Sequence, residues 1–494
     1  MYYTNLQTNM NLNILSFNIS KVLTVVIVGS LLLLSAALKT SAQEVITLQK
    51  AIDRTLERNL TIKQAQFNEA IDVENVKQAQ YNRLPNLSAN PQASFNYGRS
   101  VDPSTNQFVN QSIFGLSGSV TSQVLLFQGG LLKNQILQNK LQLDVDKSNT
   151  AKVKNDLVLN VVTTYLSVLS NQDLLKASVQ QVDISQQTLD RTQKNFDVGN
   201  NTLADLSQAK AQVSTAQLNQ TTAQNQLDIS ILTLKQYMEM DPATDITVEK
   251  PDVSKLTDIK SLYNAQDVFK DAVSINPDVR LAEVQKQLAY QNINVAKSYY
   301  YPSLSLFGSL GSNYSDARKN GSIVSTGAFE TIGVVSGTNT PVVTPAYSQV
   351  YSKYPFMDQL SDNFNQSVGI SLQIPIFGRF ATRTSVRKAK ISYQIAEVGA
   401  QLAKNNLNKT ISQAVLDVRA ADKKYYSAQQ TYQSNKEAYN VMQQRYNVGL
   451  VNSLDYNTSL TTLNKSEFDM IQARYELIFR SKIIDYYLGN PITL

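Results

Sequence analysis

Few side chains in this sequence could do chemistry. His, Cys and Trp are all absent from its 494 residues. A Ser-His-Asp triad, a zinc site with His ligands and a Cys nucleophile are therefore excluded. No phosphate-binding glycine loop is present. Catalysis would have to rest on carboxylates, Lys or Tyr alone, so the sequence points away from an enzyme, and neither a cofactor nor a metal site is expected. The titratable residues that stand out by position are Asp205 and Asp455. Each lies six residues past a glycine, in Thr202-x-x-Asp205 and Asn452-x-x-Asp455. That spacing is a helix capping box with the acid at the third helical position.

The elements that must hold these residues are long helices. Tyr446-Asn-Val448-Gly449-Leu450-Val451-Asn452 is followed by a heptad seam of Tyr456, Leu463, Met470, Leu477 and Ile484, with Ser459, Ser466, Ala473, Arg480 and Tyr487 between. Only Arg480 departs from small or apolar character. Before Gly449 the helical spacing runs without Pro or Gly back to about Ala400. The segment reads as helix, tight turn, helix. The same pattern occurs once more around Phe196-Asp-Val198-Gly199-Asn-Asn-Thr202, 250 residues earlier, with Leu206, Val213, Gln220, Leu227 and Leu234 on its seam. Upstream, Pro85 and Pro302 mark a second offset of 217, which carries Asn59 onto Asn276. The chain is a tandem duplication, with 33 extra residues in the second copy between Phe307 and Ser367. The first repeat is expected over 43–264, with its hairpin tip at about 199–202 and a linker at 239–264. The second is expected over 265–494, with its tip at about 449–452.

Each repeat opens with a helical stretch, Leu48–Leu84 or Ala265–Tyr301, and then the period changes to two. Strands are expected at about 86–97, 113–127, 303–314 and 363–377. Along the first, Leu87, Ala89, Ala93, Phe95 and Tyr97 alternate with Asn86, Ser88, Asn90, Gln92 and Ser94. Pro91 is its one misfit, because proline cannot donate to a ladder. Each strand is long enough to cross a bilayer at a tilt. Phe95, Tyr97, Phe114, Tyr314 and Phe364 gather at one end, and Phe127, Phe377 and Tyr299–Tyr301 at the other. An ordinary sandwich with one wet face fits the alternation; a membrane barrel fits it together with the two aromatic belts. Residues 315–362, rich in Gly, Ser, Thr and Pro, read as an external loop. Each long helix of about 70 residues would span roughly 100 Å.

Residues 1–42 read as an export signal, with Lys21, an apolar run from Val22 to Leu38, and Thr40-Ser41-Ala42 before Gln43. A membrane anchor is the alternative, although the run is short for one. Without Cys there is neither a lipid anchor on a terminal thiol nor a disulfide. The net charge of +6 is scattered between acids, with no basic patch for nucleic acid.

Four strands cannot close a membrane barrel, and open edges are not tolerated in lipid. Several copies must share one, and three would supply twelve strands. The expected fold is mainly α with membrane β, a shared trimeric β-barrel continued by a long antiparallel coiled-coil α-barrel.

The duplicated helix–strand–strand–helix order, Pro375-Ile-Phe-Gly378 and the Tyr-x-Val-Gly…Leu-Asp tip resemble the TolC family of outer-membrane efflux channels, over about residues 44–490. The resemblance implies a homotrimer in outer-membrane lipid with its helices in the periplasm. It also implies a membrane-fusion adaptor as direct partner and an inner-membrane pump of the RND or ABC type behind it. Val448, Gly449 and Leu450 match the tip motif for adaptor contact; Val198 and Gly199 match it in the first copy, which departs at Asn200. Asp205, Asp455 and Tyr446 match positions for an acidic, cation-attracting constriction and for tip closure. Val451 and Thr458 depart from the family's gating arginine and second acid. For Asp205 and Asp455 capping alone stays open beside a pore role. For Tyr446 and Phe196 seam packing stays open beside gating. Two other functions fit as well: type I protein secretion by the same build, and a helical surface protein that forms no channel.

Overall fold

The computed structural model describes residues 44–101, 106–251 and 263–490. The export signal expected over 1–42 lies outside them, as does part of the linker expected at 239–264. In chain order the first elements are β1 (Glu44–Ile46), α1 (Leu48–Arg58), α2 (Leu60–Tyr81), β2 (Asn86–Asn96), β3 (Arg99–Val101), β4 (Phe108–Asn110) and β5 (Ile113–Gln128). Then come α3 (Leu131–Asp197), α4 (Leu203–Tyr237), β6 (Ile246–Val248), α5 (Ala265–Ile275), α6 (Pro277–Ser298) and β7 (Ser303–Ser315). The chain continues with β8 (Lys319–Val334), β9 (Pro341–Lys353), α7 (Phe356–Asp362), β10 (Asn365–Gln373), α8 (Ala381–Asn447) and α9 (Ser453–Leu488). None of the described helices is long and apolar enough to cross a membrane.

The stretches 48–84 and 265–301, which the helical spacing runs together, are each two helices. Asn59 breaks the first, and its side chain accepts from Thr61 N–H. Asn276 breaks the second, accepting from Asp278 and Val279 N–H, with Pro277 directly after it. A proline pushes the residue before it out of the helical region, and an Asn side chain satisfies the donors this frees. The two asparagines are the pair related by the 217-residue offset, so the break itself is duplicated.

The structure divides into two compact units. Of the described residues, the first takes 44–53 and 164–251. Among its described elements, β1 pairs in parallel with β6. Tyr165 is buried there, its hydroxyl donating to the Glu249 carbonyl at 2.8 Å and lying 3.1 Å from that of Ile46. Burial raises its phenol well above the usual range. On α4, Leu206, Ala209, Val213, Ala216, Leu227, Ser230 and Leu234 are buried, which is the heptad seam with its small-residue intervals.

Of the described residues, the second unit takes 54–101, 106–163 and 263–490. Val268, Ala272, Val279, Leu407, Ile411, Val418 and Ile484 form a core where α5, α6, α8 and α9 meet. Arg480, the polar layer of the seam, pairs with Asp417 across the α8–α9 hairpin at 2.9 Å. This unit also holds a four-stranded antiparallel sheet in the order β10–β7–β5–β2. Pro91 is accommodated because β2 is an edge strand. β10 stops at Gln373, ahead of Pro375. Residues 315–362 are not the irregular loop that their composition suggests. They form a separate two-stranded ribbon, β8 with β9, followed by the short helix α7.

Candidate functional site

The register of the four-stranded sheet aligns like with like. Ser88 faces Thr121, Thr121 faces Ser309, and Ser309 faces Ser367, which makes a row of hydroxyls across all four strands. Ser88 and Thr121 hydroxyls stand 2.8 Å apart, and so do those of Ser309 and Ser367. One residue along, Ala89 faces Val120 and Val120 faces Leu310, while Ile370 faces Leu306 and Leu306 faces Val124. Among the described residues nothing covers this aliphatic face: Leu87 is 77% exposed and Val368 83%. At one end of it Phe95, Phe114, Tyr314 and Phe356 make a row with ring centroids 4.8, 6.3 and 5.0 Å apart. Small hydroxyls on one face, bare aliphatics on the other and aromatics at the rim suit strands with water on one side and lipid on the other.

The two hairpin tips carry the singled-out residues, one tip in each compact unit. Gly199 and Gly449 both have φ of +78°, the left-handed conformation that ends a helix and reverses the chain. In the first tip Asn200 N–H donates to the Asn195 carbonyl at 2.8 Å; in the second Leu450 N–H donates to that of Arg445 at 2.9 Å. The return helices then start on their caps. Thr202 accepts from Asp205 N–H at 3.2 Å, and the Asp205 carboxylate accepts from Thr202 N–H at 2.9 Å and from its hydroxyl at 2.7 Å. Asn452 accepts from Asp455 N–H at 2.8 Å. Each acid is also favourably placed against the positive end of its helix.

Tyr446 stacks on Tyr456 with centroids 4.6 Å apart and planes 13° from parallel. Tyr456 in turn meets Tyr439, their hydroxyls 2.9 Å apart and both side chains buried. Three tyrosines thus pack together beside the second tip. Tyr439 was not singled out by the sequence, although it precedes Tyr446 by one heptad. The first copy carries Phe196 and Leu206 where the second has Tyr446 and Tyr456. Val198, Val448 and Leu450 are about 70% exposed, an apolar surface at each turn.

A family model described as outer membrane efflux protein matches residues 51–238 and 268–490, both repeats and most of the chain. The chain belongs to that family. Its place is the outer membrane, with the helical part in the periplasm, and its expected fold class and tandem duplication agree with the family. Among its relatives, outer membrane protein TolC of Escherichia coli is 25% identical over 341 residues, 68% of this chain and 61% of TolC. Toxin and drug export protein A of Aggregatibacter actinomycetemcomitans is 23% identical over 332 residues, 66% of this chain and 62% of that protein. The chain therefore spans somewhat less than two thirds of the length of these relatives. The open state of the MtrE outer membrane channel of Neisseria gonorrhoeae superposes with a TM-score of 0.67 at 18% identity, over 90% of this chain and 89% of MtrE. At that identity the likeness is one of fold. No described group of three or more acidic, His or Cys side chains could hold a metal ion.

Proposed function

We propose that this chain is the outer-membrane exit duct of a tripartite efflux system. Three copies close one barrel and continue it as a helical duct, receiving small molecules from a periplasmic membrane-fusion adaptor and, behind it, an inner-membrane pump of the RND or ABC type. The observation that carries this is the sheet. Among the described residues it has four strands, an aliphatic face with no cover and two unpaired edges, β2 and β10. Unpaired edges are not tolerated in lipid, and β10 of one copy paired with β2 of the next removes both.

At the tips, Val198, Gly199, Val448, Gly449 and Leu450 form the adaptor contact, supported by their apolar exposure. Asp205 and Asp455 form the cation-attracting constriction. Threefold symmetry gives six such carboxylates around one axis, and a cation shared among them offsets their repulsion. Tyr446 supports tip closure by holding the shape of the second turn through Tyr456. Protein export by the same build is the second function in view, because the relative from Aggregatibacter actinomycetemcomitans is named for exporting both toxin and drug.

Planar-bilayer recording of the purified protein tests this. Wild type should give uniform conductance steps that prefer cations, and Asp205→Asn with Asp455→Asn should keep the steps and lose most of the preference. Asn keeps capping ability, so unchanged selectivity with lowered thermal stability would leave capping as the whole role of the two acids. Absence of any conductance would overturn the channel itself.

A further inference from the structure

The β8–β9 ribbon has no function in the duct so far described. Among the described strands its two pair only with each other. A lone two-stranded ribbon is marginal in water and leaves both edges open. Yet its root is fixed. Gln359, fully buried, accepts from Ser315 N–H and donates to the carbonyls of Ser315 and Tyr354, at 3.0, 3.0 and 3.1 Å. Ser312 donates to the Leu360 carbonyl at 2.7 Å, and Asn363 to that of Asn313 at 2.7 Å. These bonds tie α7 and the ribbon base to β7, so the ribbon is held as an arm.

The register sorts its side chains. On one face lie Ile323, Phe329, Val343, Tyr347 and Tyr351, paired with small or uncharged partners. Phe329 is 69% exposed and Ile323 74%. That face carries no charge beyond the Lys319–Lys353 pair at the root, and Glu330 points from the other face, opposite Thr344. Three identical faces of this kind can meet without like-charge repulsion. The root also sits beside β10, the free edge where the next copy has to pair. Each arm therefore rises next to a joint between copies.

We propose that the β8–β9 ribbon is an outer lid, in which the apolar faces of the three arms pack on one another over the mouth of the duct. The proposal rests on the trimeric reading above. Because the chain has no Cys, single thiols report the contact directly. Thr331→Cys lies on the apolar face and Thr344→Cys on the opposite one. In trimers in mild detergent, oxidation should link Thr331→Cys chains in pairs, up to two of every three, and Thr344→Cys chains severalfold less. Deleting 319–353 should leave the trimer intact and raise its conductance severalfold. Equal cross-linking from both faces, no cross-linking from Thr331→Cys in a complex whose native mass is three chains, or an unchanged conductance after the deletion would each overturn the lid. A native mass of one chain would instead overturn the trimer, so the two failures are distinguishable.

Discussion

Asp205 and Asp455 stand where a capping box puts an acid; the structure makes the full box at Thr202–Asp205, and at the second tip the Asn452 side chain caps through Asp455 N–H. Their spacing made that much legible, because a box is a local pattern of four residues. Asp146 was not legible, since its partner is 74 residues away in the sequence. Its carboxyl is pushed up to about 6, first by burial and then by the hydrogen bond and charge of Asp72, with Glu69 adding to this and Gln142 opposing it. Asp72 is buried, and Asn75 donates to one of its oxygens. An acid raised in the folded state contributes stability that is full below its ordinary value of 3.8 and is lost as pH rises through about 6. Wild type should therefore melt lower at pH 8 than at pH 4.5 by more than Asp146→Asn does. At pH 8 the variant should be the more stable by about 1 kcal/mol, the full shift being discounted for the exposure of Asp146. Thermal unfolding at the two pH values checks this, and parallel curves for both proteins would refute the raised Asp146 carboxyl.

At the scale of elements, periodicity carried the long helices and the strands, because both bury or bare one face at a fixed period. It ran straight through Asn59 and Asn276, where the break is a cap and leaves the apolar spacing intact. It also missed the ribbon over 319–353, whose Gly, Ser and Pro content imitates a loop. The strand-to-helix junctions hold a further difference between the repeats. Gly129 and Gly130 have φ of +53° and +76° in the first copy, and their counterparts at the 250-residue offset are Arg379 and Phe380, at +52° and +58°. A side chain in that region is strained. Phe380 is held there against Phe377, with centroids 5.5 Å apart, and beneath Arg383. Both rings are largely exposed, as suits an interfacial aromatic belt. Arg379 has no such ring to place, so Arg379→Gly should raise the unfolding midpoint by the equivalent of about 1 kcal/mol. A lower midpoint would mean that the arginine side chain supports the junction.

For the whole molecule the decisive feature is incompleteness. The helices bury heptad seams and need no membrane, whereas the sheet bares its aliphatic face and both edges. Neither deficit can be met within one chain, and both are met if the same sheet recurs around a closed ring. Three copies of the four-stranded sheet would supply a twelve-stranded barrel, wide enough to pass solutes. Native mass spectrometry of the mature protein, released from membranes in mild detergent, tests this most directly. The account predicts a single species with the mass of three chains that survives dilution. A monodisperse single-chain species that inserts into no bilayer would contradict it.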